Sequence, residues 1–251
     1  MGKKKFRLVF DSPFITIFVA ISTAVFLLDT FVLSGNAVRT LFSCPAVGGA
    51  DTFSFKNPLH YFRLLLHPIG NVGAVVLVPN IVALLLLGPQ MENRFGTPML
   101  ALMSGIASLV CGVLNSCLGQ QTIFGAEPLV FMLIFLGLTV SILKRDLNVS
   151  QILTLVAYSM FVLFSRNSDG TPLSHSAIHL ATSLAGGICA GALGFLVAPK
   201  RTEERQTATK RQIQSEPTQL GPETKKSRRR QKIKKARIED DVPTETEIGT
   251  L

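Results

Sequence analysis

The sequence predicts an all-α polytopic membrane protein, a bundle of six helical spans with a long first external loop. Three observations point there. Of 251 residues, 47% are hydrophobic and only 16% charged, with a mean hydropathy of +0.40, whereas a soluble domain carries roughly 25% charged residues. The charges are also segregated, since residues 199–251 hold 14 Lys/Arg and 9 Asp/Glu, leaving 11 basic and 7 acidic residues to the first 198. Finally, six stretches of that body, 13–32, 70–87, 98–118, 123–143, 147–164 and 174–198, are apolar over the ~20 residues a helix needs to cross the hydrocarbon core. Inside lipid each stretch has to be helical, because every backbone N–H and C=O must be satisfied within the segment. The net charge of +9 divides as +4 for the body and +5 for the tail, so the high pI alone does not mark a nucleic-acid binder.

The first stretch follows GKKKFR. Its apolar run is too long for a secretory h-region and no small-x-small cleavage site follows, so it reads as an uncleaved signal anchor. With residues 1–12 placed in the cytoplasm, that side receives 21 Lys/Arg outside the spans and the other side four, Arg39, Lys56, Arg63 and Arg166. The imbalance makes both termini cytoplasmic and the number of spans even. The domain division is therefore a cytoplasmic N-terminus at 1–12, a six-span membrane domain at 13–198 and a basic cytoplasmic tail at 199–251.

Between the first two stretches lie 37 residues, 33–69, which include Phe42, Phe53, Phe55, Tyr61, Phe62 and the run LLL at 64–66. Connections of that length are usually functional or disordered; this one is too aromatic for a disordered linker and reads as an amphipathic element in the outer leaflet. The fifth stretch, LNVSQILTLVAYSMFVLF, is the shortest, equal at 18 residues to the second. Cys111, Cys117 and Cys189 fall within spans and Cys44 within the loop, which gives no disulfide framework and no C-x-x-C metal site. Asn148-Val-Ser150 fits the glycosylation pattern but lies on the cytoplasmic side.

The stretch 62–96, FRLLLHPIGNVGAVVLVPNIVALLLLGPQMENRFG, resembles the rhomboid intramembrane proteases. Phe62-Arg63 matches their aromatic-Arg pair with Phe in place of the usual Trp, His67 matches a loop His, and Asn80 matches the Asn of an H-x-x-x-N pair. Gly88, Glu92 and Gly96 match G-x-x-x-E-x-x-x-G at the cytoplasmic turn without a gap. FGAEPLVFMLIFLG in the fourth stretch looks like the G-x-S-G segment, and IHLATSLAG in the sixth looks like A-H-x-x-G-x-x-x-G, with its last Gly at Gly186. The similarity covers residues 10–198 in the family's six-span form.

The departures bear on the chemistry. The resemblance implies that a protease of this family attacks with the Ser of G-x-S-G, passes its proton to the sixth-span His, and stabilises the oxyanion with the second-span His and Asn. Here the nucleophile position is Glu127, the second-span His position is Val76, and the first Gly after His179 is Thr182. A serine protease needs a hydroxyl beside its base and donors aimed at the oxyanion. A carboxylate is a poor acyl nucleophile and repels an oxyanion, and Pro128 lacks the N–H that Gly would present. The reading is a rhomboid fold without an intact catalytic site.

An ionised Glu127 near a span centre costs about 2.5–3.5 kcal/mol. It is expected either to pair with His179, tying the fourth span to the sixth, or to stay a neutral acid in a wet cavity. A metal site from His179, Glu127, Asn80 and His67 is disfavoured, with one firm imidazole and no H-x-x-x-H spacing, and no cofactor is called for. Arg63 is expected to anchor the loop through backbone carbonyls or headgroups, Glu92 to pair with a cation or cap a helix, and His67 to hydrogen-bond within the loop. His60 and His175 are expected to be solvated, and Asp29 to need no special partner. Thr182, Gly186, Ala190 and Gly194 form a small-residue stripe, widened by Ser183, Gly187 and Gly191, that should pack the sixth span against the fourth.

The tail run 225–237, opening at Lys225 and closing at Arg237, holds nine basic residues in thirteen. It suits contact with anionic lipid at ~1 kcal/mol per basic residue near the surface, and its composition also fits a solvated, disordered extension; no specific nucleic-acid partner is expected. By resemblance, the protein is expected to bind transmembrane segments of client proteins in a lateral groove beside the second and fifth spans, bounded by Val76, Asn80, Glu127 and His179, without cleaving them. The alternatives are a residual or unconventional endopeptidase using His179, and a small transporter or channel with Glu127 and His179 as a proton relay. The expected location is a bacterial cytoplasmic membrane.

Overall fold

The structure is a computed structural model that describes residues 12–49, 52–143, 145, 149–167 and 172–197. The N-terminal residues 1–11 and the tail, including the basic run 225–237, lie outside the described residues. Eight α-helices make up the described chain: α1 (Pro13–Phe31), α2 (Asn36–Leu41), α3 (Pro58–Leu66), α4 (Ala74–Phe95), α5 (Thr97–Leu118), α6 (Glu127–Leu143), α7 (Val149–Asn167) and α8 (Leu173–Val197), with a single 3₁₀ turn at His67–Ile69. Of these, α1, α4, α5 and α8 are long and apolar enough to cross a bilayer, and α6 and α7 contain shorter apolar runs. The protein is an all-α, multi-pass integral membrane protein.

Helix α6 is the hub. Residues 126–134 are all buried, and Phe131, Leu133 and Leu136 sit in the main core with Leu84 of α4, Met103 of α5 and Val162 of α7. Its start differs from the apolar stretch, which opens at Ile123. Residues 123–126 precede the helix because Ile123 forms an antiparallel bridge with Cys44 and Gly125 takes a φ of +106°, a left-handed conformation open to glycine without penalty. Hydrophobicity alone cannot separate such an extended lead-in from a helical turn.

The small residues of α8 serve two neighbours, the expected α6 and also α5. A Cβ on Gly186 would lie 2.7 Å from the Ala107 carbonyl oxygen of α5, and one on Gly194 would collide with Met103 of the same helix. The stripe through Gly186 and Gly194 thus packs on the third long span, α5, and not on α6. The contact with α6 is made one position along, where a Cβ on Gly187 would come within 2.7 Å of Phe131 Cβ and 2.8 Å of the Met132 nitrogen. A step of one residue turns a helix by ~100°, which is enough to change the neighbour. Gly88 plays the same part in α4, against Ile15 of α1.

The long loop is ordered by polar bonds. Arg63 is buried on the inner face of α3, where its Nε donates to the Ser43 carbonyl at 2.7 Å and its Nη2 to the Ser43 hydroxyl, so the anchoring role lies with the protein backbone. Phe62 points away and is exposed together with Tyr61 and Leu65, giving α3 an apolar outer face beside a polar inner one. His60 is buried, contrary to the solvated position expected: Ser54 N–H donates to its Nδ1 at 3.0 Å and Phe53 packs beside the ring. Asp29 is likewise buried and has a partner, accepting from the Ala37 N–H at 2.8 Å at the start of α2.

At the opposite end, Glu92 of α4 caps another helix. Its two carboxylate oxygens accept from the N–H groups of Phe14 (2.8 Å) and Ile15 (3.0 Å), the first-turn donors of α1, and from the Thr97 hydroxyl at 2.8 Å. Such donors have no partner within their own helix, and a carboxylate also complements the positive end of the helix dipole. Gly96, with φ +87°, then allows α4 to turn directly into α5. Glu92→Ala should lower the unfolding free energy by about 1–3 kcal/mol through the stranded buried donor at Ile15, measured by thermal denaturation in detergent; an unchanged midpoint would mean that the caps contribute nothing.

Candidate functional site

A buried polar cluster sits where the loop meets the first turn of α6. The bridge from Cys44 to Ile123, with N–O distances of 3.0 and 3.2 Å, and a bond from Gly125 N–H to the His67 carbonyl at 3.2 Å hold the lead-in segment against the loop. Glu127 opens α6 and is 2% exposed. Its side chain curls back over Gly125, where a Cβ would collide with the carboxylate. Across from it on α8, His179 is 4% exposed and places Nε2 4.0 Å from Glu127 Oε1. That is too long for a hydrogen bond between these two atoms, but it brings α6 and α8 together through these two residues. Thr182, at the position where the sequence lacks glycine, turns its hydroxyl to the His179 carbonyl at 2.9 Å.

His67 completes the cluster from the loop. It is fully buried, and its Nδ1 lies 3.0 Å from the Leu64 carbonyl. A carbonyl only accepts, so Nδ1 carries the proton and Nε2 of the neutral ring presents a lone pair. Burial pushes the imidazole down to about 4, against the lesser upward pull of the Leu64 bond and of Glu127 nearby. The unfolded chain binds this proton near its ordinary pKa of 6.5, whereas the folded protein refuses it until about 4. The stability contributed by neutral His67 is therefore present above about 6.5 and falls as pH drops toward 4, at up to ~1.4 kcal/mol per pH unit. His67→Gln should flatten that part of the acid limb, read as the detergent-state melting temperature between pH 7 and pH 4.

Asn80, buried on α4, accepts at Oδ1 from the Tyr158 hydroxyl of α7 at 2.5 Å. Tyr158 in turn packs edge-on against Phe131, with ring centroids 5.1 Å apart. The Asn80 Nδ2 has no hydrogen-bond partner among the described residues. Val76 is half-buried on the first turn of the same helix and brings no polar atom. Of the expected groove residues, Glu127 and His179 come together, and Asn80 is committed on one side to Tyr158. Tyr158 was missed from sequence. The signal was present, since it is one of only two tyrosines and a hydroxyl in the middle of an apolar helix calls for a partner.

A small polar cleft of about 10 Å³ reaches His179 between the end of α5 and the start of α8, lined by Asn115, Gln121, His175, Ser176 and His179 among others. That is room for about one water molecule. Cys44 lies nearby but is chemically quiet: burial pushes its thiol up to about 12, far from the thiolate range in which cysteine reacts. Among the described residues no three His, Cys, Asp or Glu side chains are placed to hold a metal ion.

Fold and site together define a helical membrane protein with a buried acidic side chain and two histidines brought together by α6, α8 and the loop. The Rhomboid domain family model matches residues 58–200, more than half of the chain, and the chain belongs to the rhomboid family. No curated protein matches it.

Proposed function

We propose that the protein is a non-catalytic rhomboid that binds transmembrane segments of client proteins in a lateral groove beside α4 and α7. The observation that carries this reading is Glu127. At the head of α6, beside the imidazole that would serve as base, stands a buried carboxylate 4.0 Å from His179 in place of a hydroxyl. A carboxylate so placed repels the oxyanion that acyl transfer has to stabilise, and Val76 offers no donor on the opposite wall. In this reading α1, α4, α5, α6, α7 and α8 all cross the membrane, with both termini in the cytoplasm on the strength of the Lys/Arg imbalance. The setting that suits it is a bacterial cytoplasmic membrane. The basic run of the tail would contact anionic lipid.

The test uses the full chain in detergent and in liposomes, with a single-span test substrate and a serine-directed fluorophosphonate probe. Neither cleavage nor labelling is expected, and the substrate should be captured by a photo-crosslinker placed at Val76. Cleavage that disappears in His179→Ala would overturn the non-catalytic reading in favour of an unconventional endopeptidase.

A further inference from the structure

We propose that His175 and His179 bind one divalent transition-metal ion, of the class of Zn²⁺, in the cleft between the end of α5 and the start of α8. The sequence reading leaves His175 in solvent and weighs His179 with Glu127, Asn80 and His67 instead. In the structure His175 is half-buried in the first turn of α8, four residues before His179. Side chains four apart on a helix stand one above the other, with Cβ atoms ~5–6 Å apart, and two imidazoles at that spacing can converge on a single ion. Both residues line the same cleft, together with Ser176.

Three features of the cleft point to a ligand. His175 Nδ1 is enclosed and has no hydrogen-bond partner among the described residues, and the same is true of the hydroxyl of Ser176, which is 0% exposed. Buried polar atoms left so are costly, and two of them on adjacent residues call for something polar between them. The space, about 10 Å³, fits one ion or one water molecule and no organic molecule. The third feature is charge. The Glu127 carboxyl lies 4.0 Å from His179 Nε2, on the far side of the imidazole that would ligate. A carboxylate behind a ligating histidine is the usual outer partner; it fixes the ring and holds the proton on its own side, which leaves Nδ1 of His179 for the ion. The start of α8 contributes about half a positive charge, which opposes a cation, and the full negative charge of an ionised Glu127 outweighs it.

Two imidazoles suit Zn²⁺, Cu²⁺ or Ni²⁺, whereas Mg²⁺ and Ca²⁺ take oxygen ligands. The remaining coordination positions fall to water, for which the Ser176 hydroxyl is a hydrogen-bond partner, so the site needs no third His, Cys, Asp or Glu as a direct ligand. The proposal stands apart from client binding. It does agree with a non-catalytic site, because an imidazole whose lone pair is held by a metal ion cannot take a proton from a nucleophile.

The test uses the full chain in detergent without a histidine tag, with the exposed Cys117 and Cys189 changed to serine so that no accessible thiol competes. Calorimetric titration with Zn²⁺ should show a single site per chain, and titration with Mg²⁺ should show none. Glu127→Gln should weaken Zn²⁺ binding about tenfold, within the ~10–100-fold cost of losing an outer partner. His175→Ala and His179→Ala should each weaken it more than Glu127→Gln does, and His175→Cys should restore much of the loss, since a thiolate also ligates zinc. A second measurement needs no variant: Cu²⁺ bound to the parent should show two imidazole nitrogens in its electron paramagnetic resonance spectrum. Zn²⁺ affinity equal in the parent and His175→Ala, no saturable Zn²⁺ binding by the parent, or a Cu²⁺ spectrum with fewer than two imidazoles would each overturn the site.

Discussion

Valine at position 187 should cost the protein about 3 kcal/mol of stability or prevent its purification as a folded species, whereas valine at position 73 should change little. The two sites receive the same side chain. At Gly187 the first added carbon already lies 2.7 Å from Phe131 Cβ, 2.8 Å from Met132 N and 2.9 Å from the Phe131 carbonyl carbon. These are mostly backbone atoms of the buried hub helix, so relief requires α6 and α8 to part along their length and not merely a rotamer change; overpacking of that kind falls at the upper end of the 1–3 kcal/mol range. Gly73 precedes α4 in an extended conformation, φ −142°, with nothing within 4 Å of an added Cβ, and surface changes of that sort stay within about 0.5 kcal/mol. Thermal denaturation of the two variants side by side in one detergent measures the difference. Similar midpoints would mean that the α6–α8 contact is not the close one described.

The second large effect is a gain. Glu127→Ser combined with Pro128→Gly, Val76→His and Thr182→Gly should produce fluorophosphonate labelling and slow cleavage of a single-span substrate, neither of which is expected of the parent. Each change answers one deficiency. Serine supplies a hydroxyl on the side of His179, glycine at 128 returns a backbone N–H, and histidine at 76 adds a donor on the α4 wall. Glycine at 182 removes a side chain next to the base. Glu127→Ser alone should fall short of the combination by at least ~10²-fold, the usual loss for one missing oxyanion donor. A combined variant that retains the parent's melting temperature yet neither labels nor cleaves would show that position 127 is not where the chemistry of the family is performed.

The apolar stretches were legible because a bilayer imposes one length and one conformation on whatever crosses it, and helices coincide with all six stretches to within a few residues at most ends. The exceptions are instructive. The second stretch reads as 70–87, while α4 runs to Phe95, because its last turns are polar and carry Glu92 and Arg94. Glu127 and His179 could be paired from sequence because the rhomboid resemblance sets the nucleophile position of the fourth span opposite the His of the sixth. The partners of Glu92, Asp29 and Arg63 could not, since they are backbone N–H and C=O groups that every residue type carries alike. The same holds for Tyr158 and Asn80, 78 positions apart; each asks for a partner, but nothing in either segment says which. The facing of Gly186 toward α5 also escaped, because a small residue records that something comes close without recording what.

The cap that Glu92 places on α1 has a consequence for biogenesis. Phe14 is translated 78 residues before the carboxylate that receives its N–H, so α1 leaves the ribosome with the donors of its first turn still lacking that acceptor. The cap waits until the far end of α4 has been made. Helix α1 is thus synthesised well ahead of the residue that fastens its start, and a synthesis stalled before Glu92 leaves that first turn uncapped.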